Sequence, residues 1–223
     1  TYFQGYFFAR PAVISGKDIP TLYSTFTQLL QEMNRPDADI GRLEKILKED
    51  VSLTYKLLRM VNSAAFGLRR EITSIRQALM LLGCQELRKW ASLVFLRTVG
   101  QDKPDELMVT AIMRAHFCET IAPLASMGSY ASDLFLTGLF SMIDVLLEQP
   151  MAEVLAKLPV SKEIKAAILN GEPPLGTVLN LIRSYEQADL DAILEKAKQL
   201  GLQLKDIFDA YIDSLAAVQR LLV

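Results

Sequence analysis

Residues 49–96 read EDVSLTYKLLRMVNSAAFGLRREITSIRQALMLLGCQELRKWASLVFL, and the spacing of their apolar side chains decides the fold. After Asp50, a side chain suited to accept from the stranded N–H groups of a helix start, Leu53, Leu57, Leu58 and Val61 return at three- and four-residue intervals. Asn62-Ser63 falls where that helix ends, a place for short polar side chains that satisfy orphan backbone groups. Ser74 opens a further helix with Ala78, Leu79, Leu81 and Leu82 turned inward, and Gly83 stops it. A helix follows from about Gln85 to Val99.

The same period runs outward in both directions. Upstream, Asp18 and Pro20 suit the start of a helix carrying Leu22, Phe26, Leu29, Leu30 and Met33, and Asp39 caps a short one with Leu43, Ile46 and Leu47. Downstream, a long helix is expected over 105–124. Another, capped by Ser129 or Ser132, is expected to run to about Glu148. Shorter helices near 151–157, 161–169, 174–187 and 189–200 precede a terminal one ending near Leu222. Alternation with period two is missing after residue 14, so the expected fold class is all-α: a multi-helix bundle preceded by a short extended segment. Pro150, Pro159 and Gly171-Glu172-Pro173-Pro174 mark either tight loops in one body, the preferred reading, or a C-terminal helical subdomain from about 150.

At 223 residues and 51% hydrophobic, the chain has material for a sizeable core, and its 22% of charged residues are of both signs. A net charge of -2 gives no global attraction to nucleic acid or an anionic membrane. Residues 1–100 hold 14 Lys and Arg against 9 Asp and Glu, whereas residues 101–223 hold 10 against 17. The stretch Leu134–Leu147, broken by Thr137, Ser141 and Asp144, reads as a buried core helix rather than a membrane span. With no secretory signal visible and two cysteines, Cys84 and Cys118, outside any C-x-x-C pair, a reducing cytoplasmic setting and two buried structural thiols are expected.

His116 is the one histidine of the chain, which removes most metal and nucleophile chemistry. A single imidazole cannot fill two ligand positions, and Cys118, two residues on, lies on another helix face. His116 is therefore expected as a half-buried helix residue. No phosphate-binding glycine loop of either common type occurs. Asp102, Asp105 and Glu106 read as a solvated helix start. Arg69, Arg70, Arg76, Arg88 and Lys89 form a modest basic patch without an aromatic ladder, so ordinary surface is favoured over nucleic-acid binding.

Residues Asp50, Leu53, Leu57, Leu58, Asn62, Ser63, Phe66, Ile72, Ile75, Ala78, Leu82 and Gly83 match the signature of HDOD domains, the HD-related output domains, and Val51 departs where proline is common. His116 in RAHFCETIA resembles the place of the first histidine of the ancestral metal motif. LTGLFSMID, residues 136–144, resembles F-L-A-G-L-L-H-D-I-G, with Gly138 at a shared glycine and Ser141-Met142 at the His-Asp doublet. The resemblance implies an HD-type scaffold without its chemistry: no catalytic residue, no metal ligand and no cofactor. The segment FQGYFFARP, residues 3–11, is similar to the last strand of an EAL domain, a cyclic-di-GMP phosphodiesterase barrel, over about nine residues. It implies that residues 1–14 are a remnant of such a domain plus linker, and that residues 15–223 are the HDOD-like domain.

The expected function is a non-catalytic regulatory or output domain of a cyclic-di-GMP signalling protein. It would act by contact with a protein partner, a neighbouring EAL domain or a second copy, with no nucleic acid or membrane partner. The alternative is a nucleotide or small-ligand sensor using the degenerate pocket, with Arg69, Arg70, His116 and Asp144 as contacts. A residual carboxylate-and-metal phosphohydrolase is the least favoured.

Overall fold

The computed structural model describes residues 21–63, 66–68 and 70–222, all helix, turn or irregular chain with no strand among them. The expected N-terminal extended segment, the EAL-like residues, Asp18, Pro20 and Arg69 lie outside the described residues. No helix among the described residues is long and apolar enough to cross a membrane.

The chain forms two compact units, one of Asp18–Phe95 and one that includes Leu96–Val223. The first holds α1 (Thr21–Met33), α2 (Ile40–Lys48), α3 (Val51–Val61) and most of α4 (Ile75–Val99). Its helix starts are those the short polar residues announce. Asp39 accepts from the Arg42 N–H at 3.0 Å, Asp50 from the Leu53 N–H at 2.9 Å and Ser74 from the Gln77 N–H at 3.2 Å. Each cap contributes about 1 kcal/mol. The Thr54 hydroxyl donates to the Leu47 carbonyl at 2.6 Å and ties α3 to α2. Beneath them Phe26 stacks on Phe95 at 4.3 Å between centroids, among Leu29, Leu43, Leu47 and Leu57.

α4 breaks at Gly83, whose φ of 69° and ψ of 173° suit glycine and end the first arm where the sequence places the stop. Two expectations fail around that break. Leu81 is 44% exposed and Cys84 is exposed, where both were expected inside. The break cuts the helical period before Cys84, while Leu81, in the arm ahead of it, lies off the face that Ile75, Ala78 and Leu79 bury; Leu87 keeps the inward position beyond the break.

The second unit is built on α5 (Asp105–Leu124), which buries Ala111, Ala115, Phe117, Cys118, Ile121 and Ala122. A 3-10 turn, Gly128–Tyr130, leads to α6 (Ala131–Phe140), α7 (Ile143–Leu147), α8 (Met151–Lys157), α9 (Lys162–Asn170), α10 (Leu175–Glu186), α11 (Leu190–Leu200) and α12 (Leu204–Leu222). Pro150 is the residue before α8, inside this unit. The single helix expected to reach Glu148 is two. The Ser141 hydroxyl donates to the Gly138 carbonyl at 2.7 Å, and Met142, at φ −124° and ψ 12°, turns the chain out of the helix. Neither Ser129 nor Ser132 caps α6; Tyr130 stands at its start without a side-chain bond. α6 is buried along most of its length and crosses α5 at Gly138.

Candidate functional site

Arg114 and His116 lie two residues apart on α5, so they leave the helix on different faces. Arg114 turns inward and is 4% exposed. Its Nε donates to Glu186 Oε1 at 2.9 Å and its Nη2 to Glu186 Oε2 at 2.6 Å, a two-pronged charge-assisted pair with the end of α10. Its Nη1 donates to the Ser141 hydroxyl at 2.7 Å. Ser141 in turn donates to Gly138, so one polar chain joins α5, α10 and the end of α6. Ser141, the residue whose pattern resembles the histidine of the HD doublet, accepts from a guanidinium.

A cleft of about 350 Å³ opens beside this pair, lined by Arg114, Ser141, Arg183, Glu186 and Gln187. Asp144 is half-buried, and burial raises its pKa above the ordinary 3.8 against the pull of its own and the Val145 N–H and of Arg183 and Arg114. Between the two values the folded chain keeps a proton that the unfolded chain has released. Stability from this group is present below 3.8 and is lost as the pH rises through the raised value. Asp144→Asn is expected to flatten that fall in urea unfolding measured at pH steps from 3.8 upward; an unchanged slope would show that Asp144 is not its source. Burial pushes the Cys118 thiol up to about 12, leaving it an inert core residue.

His116 is half-buried, as its helix position suggests. Its Nδ1 lies 3.6 Å from Glu119 Oε2, and its ring meets Phe135 edge-on at 5.3 Å. Its Nε2 is buried without a hydrogen-bond partner. Ser141 lines the cleft, and Met142 is buried in the core. His116, Met142 and Asp144 are not among the cleft's lining side chains. Among the described residues no three His, Cys, Asp or Glu side chains gather closely enough to hold a metal ion.

The signature residues do structural work in the first unit. Asn62 Nδ2 donates to the Leu58 carbonyl at 2.9 Å and the Ile72 carbonyl at 2.8 Å, and its Oδ1 accepts from the Ile72 N–H at 2.8 Å. One amide thus closes the end of α3 and pins the extended chain before α4. Leu57 is buried and Leu58 half-buried, and an open groove of about 660 Å³ runs past Tyr55, Leu58, Arg59, Asn62, Ser63 and Ile72. Arg70 is exposed outside it. Asn62→Ala strands both backbone groups of Ile72 and is expected to cost about 2 kcal/mol in chemical unfolding. A loss of a few tenths would mean that water replaces the amide there.

Arg114, Arg183 and Glu186 are the residues that sequence reasoning missed. One signal was available for the first: an arginine on the face of α5 that otherwise carries Ala111, Ala115 and Cys118 needs a partner. Nothing local marks Glu186, 72 residues away, as that partner.

The family model of the HDOD domain matches residues 19–166. The chain is similar to "Cyclic di-GMP phosphodiesterase CdgJ" of Vibrio cholerae, 34% identical over 214 residues that cover 96% of this chain and 50% of that protein. It is also similar to "Uncharacterized protein YuxH" of Bacillus subtilis, 32% identical over 216 residues covering 96% of this chain and 52% of that one. An uncharacterized protein of Treponema pallidum is 27% identical over 145 residues, covering 63% of this chain and 28% of its own. The chain spans about half the length of the first two relatives. No solved structure matches it. With more than half of its residues matched by that model, and with the signature residues placed as described, the chain belongs to the HDOD domain family.

Proposed function

We propose that this chain is a non-catalytic regulatory module that works by protein contact within a cyclic-di-GMP signalling protein of the cytoplasm. The observation that carries the reading is the Arg114–Ser141 bond: a buried cation sits at the doublet position that an HD-type hydrolase needs for its metal ligands. The name of the Vibrio cholerae relative supports the signalling context. The matched relatives are about twice as long as the chain, which supports a partner domain on the parent protein. Residues 1–14 are read as the end of an EAL barrel plus linker, and that barrel as the partner.

The contact surface is the outer side of α12. Leu204, Phe208, Ile212 and Leu215 recur at helical spacing and are 47, 55, 46 and 37% exposed, while Ile207, Ala210, Ser214 and Val218 are buried. An apolar row of this kind on a surface marks an interaction site. The test supplies the remaining half of the parent protein in trans and measures association by analytical size exclusion. Association is expected, with Phe208→Asp weakening it at least about tenfold at unchanged melting temperature. Absence of any complex at high concentration would defeat the reading.

A second reading is favoured by the cleft itself, where two arginines and a hydroxyl converge: a small-ligand sensor at the degenerate HD position. Calorimetry with cyclic-di-GMP and common nucleotides separates it from the first, since a purely protein-binding module gives no saturable heat.

A further inference from the structure

We propose that the open groove of the first unit, beside Asn62, is a seat for α12 of a second copy of this chain, so that a second copy and the partner domain compete for one helix face. The proposal adds regulation to the α12 contact surface and rests on that reading.

Both sides of the contact are uncovered in the chain. The groove of about 660 Å³ has Tyr55, Leu58 and Ile72 as its apolar lining. Tyr55 is 63% exposed, and Val51, one turn before it on α3, is exposed as well. α12 offers a helix whose exposed Leu204, Phe208 and Ile212 stand at four-residue spacing. An apolar helix row laid into an apolar groove is a recurring mode of recognition.

Charge selects the occupant. Glu71 and Arg59 line the groove, and Lys56 stands exposed next to Tyr55. Ile72 is bonded to Asn62 at the end of α3, so its neighbour Glu71 lies at that end. From the end of α3 toward its start the order is then Glu71, Arg59, Lys56: one carboxylate, then two cations. On α12, Lys205, Asp209 and Asp213 are exposed and follow the apolar row one turn apart: one cation, then two carboxylates. Laid antiparallel to α3, α12 sets each of these charges against its opposite. Laid parallel, it sets Lys205 against Lys56 and Asp213 against Glu71, and like charges oppose the contact. The wider charge distribution agrees. Residues 1–100 hold 14 cations against 9 carboxylates, and residues 101–223 hold 10 against 17.

The contact is small. The 19 residues of α12 make a rod about 28 Å long, and one side of it buries less than the roughly 1,200 Å² of a stable interface. Self-association is therefore expected in the micromolar range, and a tethered partner domain, at an effective concentration of about millimolar, displaces it. A copy whose partner domain holds α12 is monomeric, and release of that domain frees α12 for a second copy.

The experiment is sedimentation equilibrium of the 223-residue chain and its variants, alongside melting curves. Arg59→Glu and Asp209→Lys are each expected to weaken self-association at least about tenfold at unchanged melting temperature, and the two changes together to restore it. Arg59→Glu keeps its α12 row and Phe208→Asp keeps its groove. A mixture of these two variants is expected to associate at a concentration where neither does alone. A chain that stays monomeric up to about millimolar concentration overturns the proposal and leaves the partner reading standing. Association indifferent to position 59, or not restored by the paired charge change, overturns it too. The remaining half of the parent protein, added in trans, is expected to replace the second copy on α12; a complex in which the chain stays self-associated through α12 overturns the competition. Self-association as described, with no complex formed by that half, defeats the partner reading instead and leaves the groove as the seat of α12.

Discussion

Gly138→Ala is expected to destabilise the second unit by about 3 kcal/mol or more, out of the roughly 5–15 kcal/mol that a natural domain commands. α5 and α6 touch backbone to backbone at this position. A methyl group on residue 138 would lie 2.6 Å from the Arg114 carbonyl oxygen and 2.8 Å from Ala115 Cα. Backbone atoms inside two buried helices cannot rotate away as the tip of a side chain would, so the helices must separate. The displacement would also move the Gly138 carbonyl that receives the Ser141 hydroxyl, and through it the Arg114 bond. Urea unfolding of the variant is the measurement. A midpoint within about 0.5 kcal/mol of the natural protein's would mean that the crossing is looser than this geometry requires.

The second large effect is an asymmetry across the buried ion pair. Glu186→Ala leaves the Arg114 guanidinium in the core without its counter-charge and is expected to cost about 3–5 kcal/mol. Arg114→Met removes the cation instead. It leaves Glu186 at the rim, where a side chain 32% exposed rehydrates, so the expected cost is about 1–2 kcal/mol. Combining the two changes should bring the loss back near that of Arg114→Met alone, because no unpaired charge then remains. Equal costs for the two single variants, or a double variant as unstable as the sum, would show that the pair is not organised by burial. Arg114→Lys is not a mild change here. An ammonium cannot present two parallel donors to Glu186 and a third to Ser141.

Much of the fold is legible in the chain because helix starts and stops are local events. Asp39, Asp50 and Ser74 cap the helices they precede, each by a bond to an N–H three residues on, and Gly83 stops an arm of α4 by its own backbone preference. Cys84 follows the break at Gly83, which turns its apolar period away from the core, and Leu81 lies off the face that Ile75, Ala78 and Leu79 bury. The helix expected to reach Glu148 stops at Ser141 because that hydroxyl spends itself on Gly138 and Met142 leaves the helical region. A period counts residues and does not see a change of axis.

The candidate site shows the same limit more sharply. The resemblance of Ser141-Met142 to the HD doublet is readable from their pattern, and so is the poverty of histidine. What donates to Ser141 is not readable, because Arg114 comes from α5 and its partner Glu186 from α10, distant in sequence and adjacent only after packing. Asn62 lies between these cases: its place at a helix end is local, but its grip on Ile72, ten residues on, needs the turn between them to fold back.

The sequence by itself determined the all-helical class, the capped starts of α2, α3 and α4, and the resemblance to the HDOD family. All of these depend on neighbours within a few residues. Only the tertiary structure decided that a guanidinium bonds Ser141, that its carboxylate partner lies at the rim, and that one face of α12 keeps an exposed apolar row. The physical reason is that capping and periodicity are short-range. Pairing a buried charge and leaving an apolar stripe uncovered depend on which helices come together, and no local rule carries that.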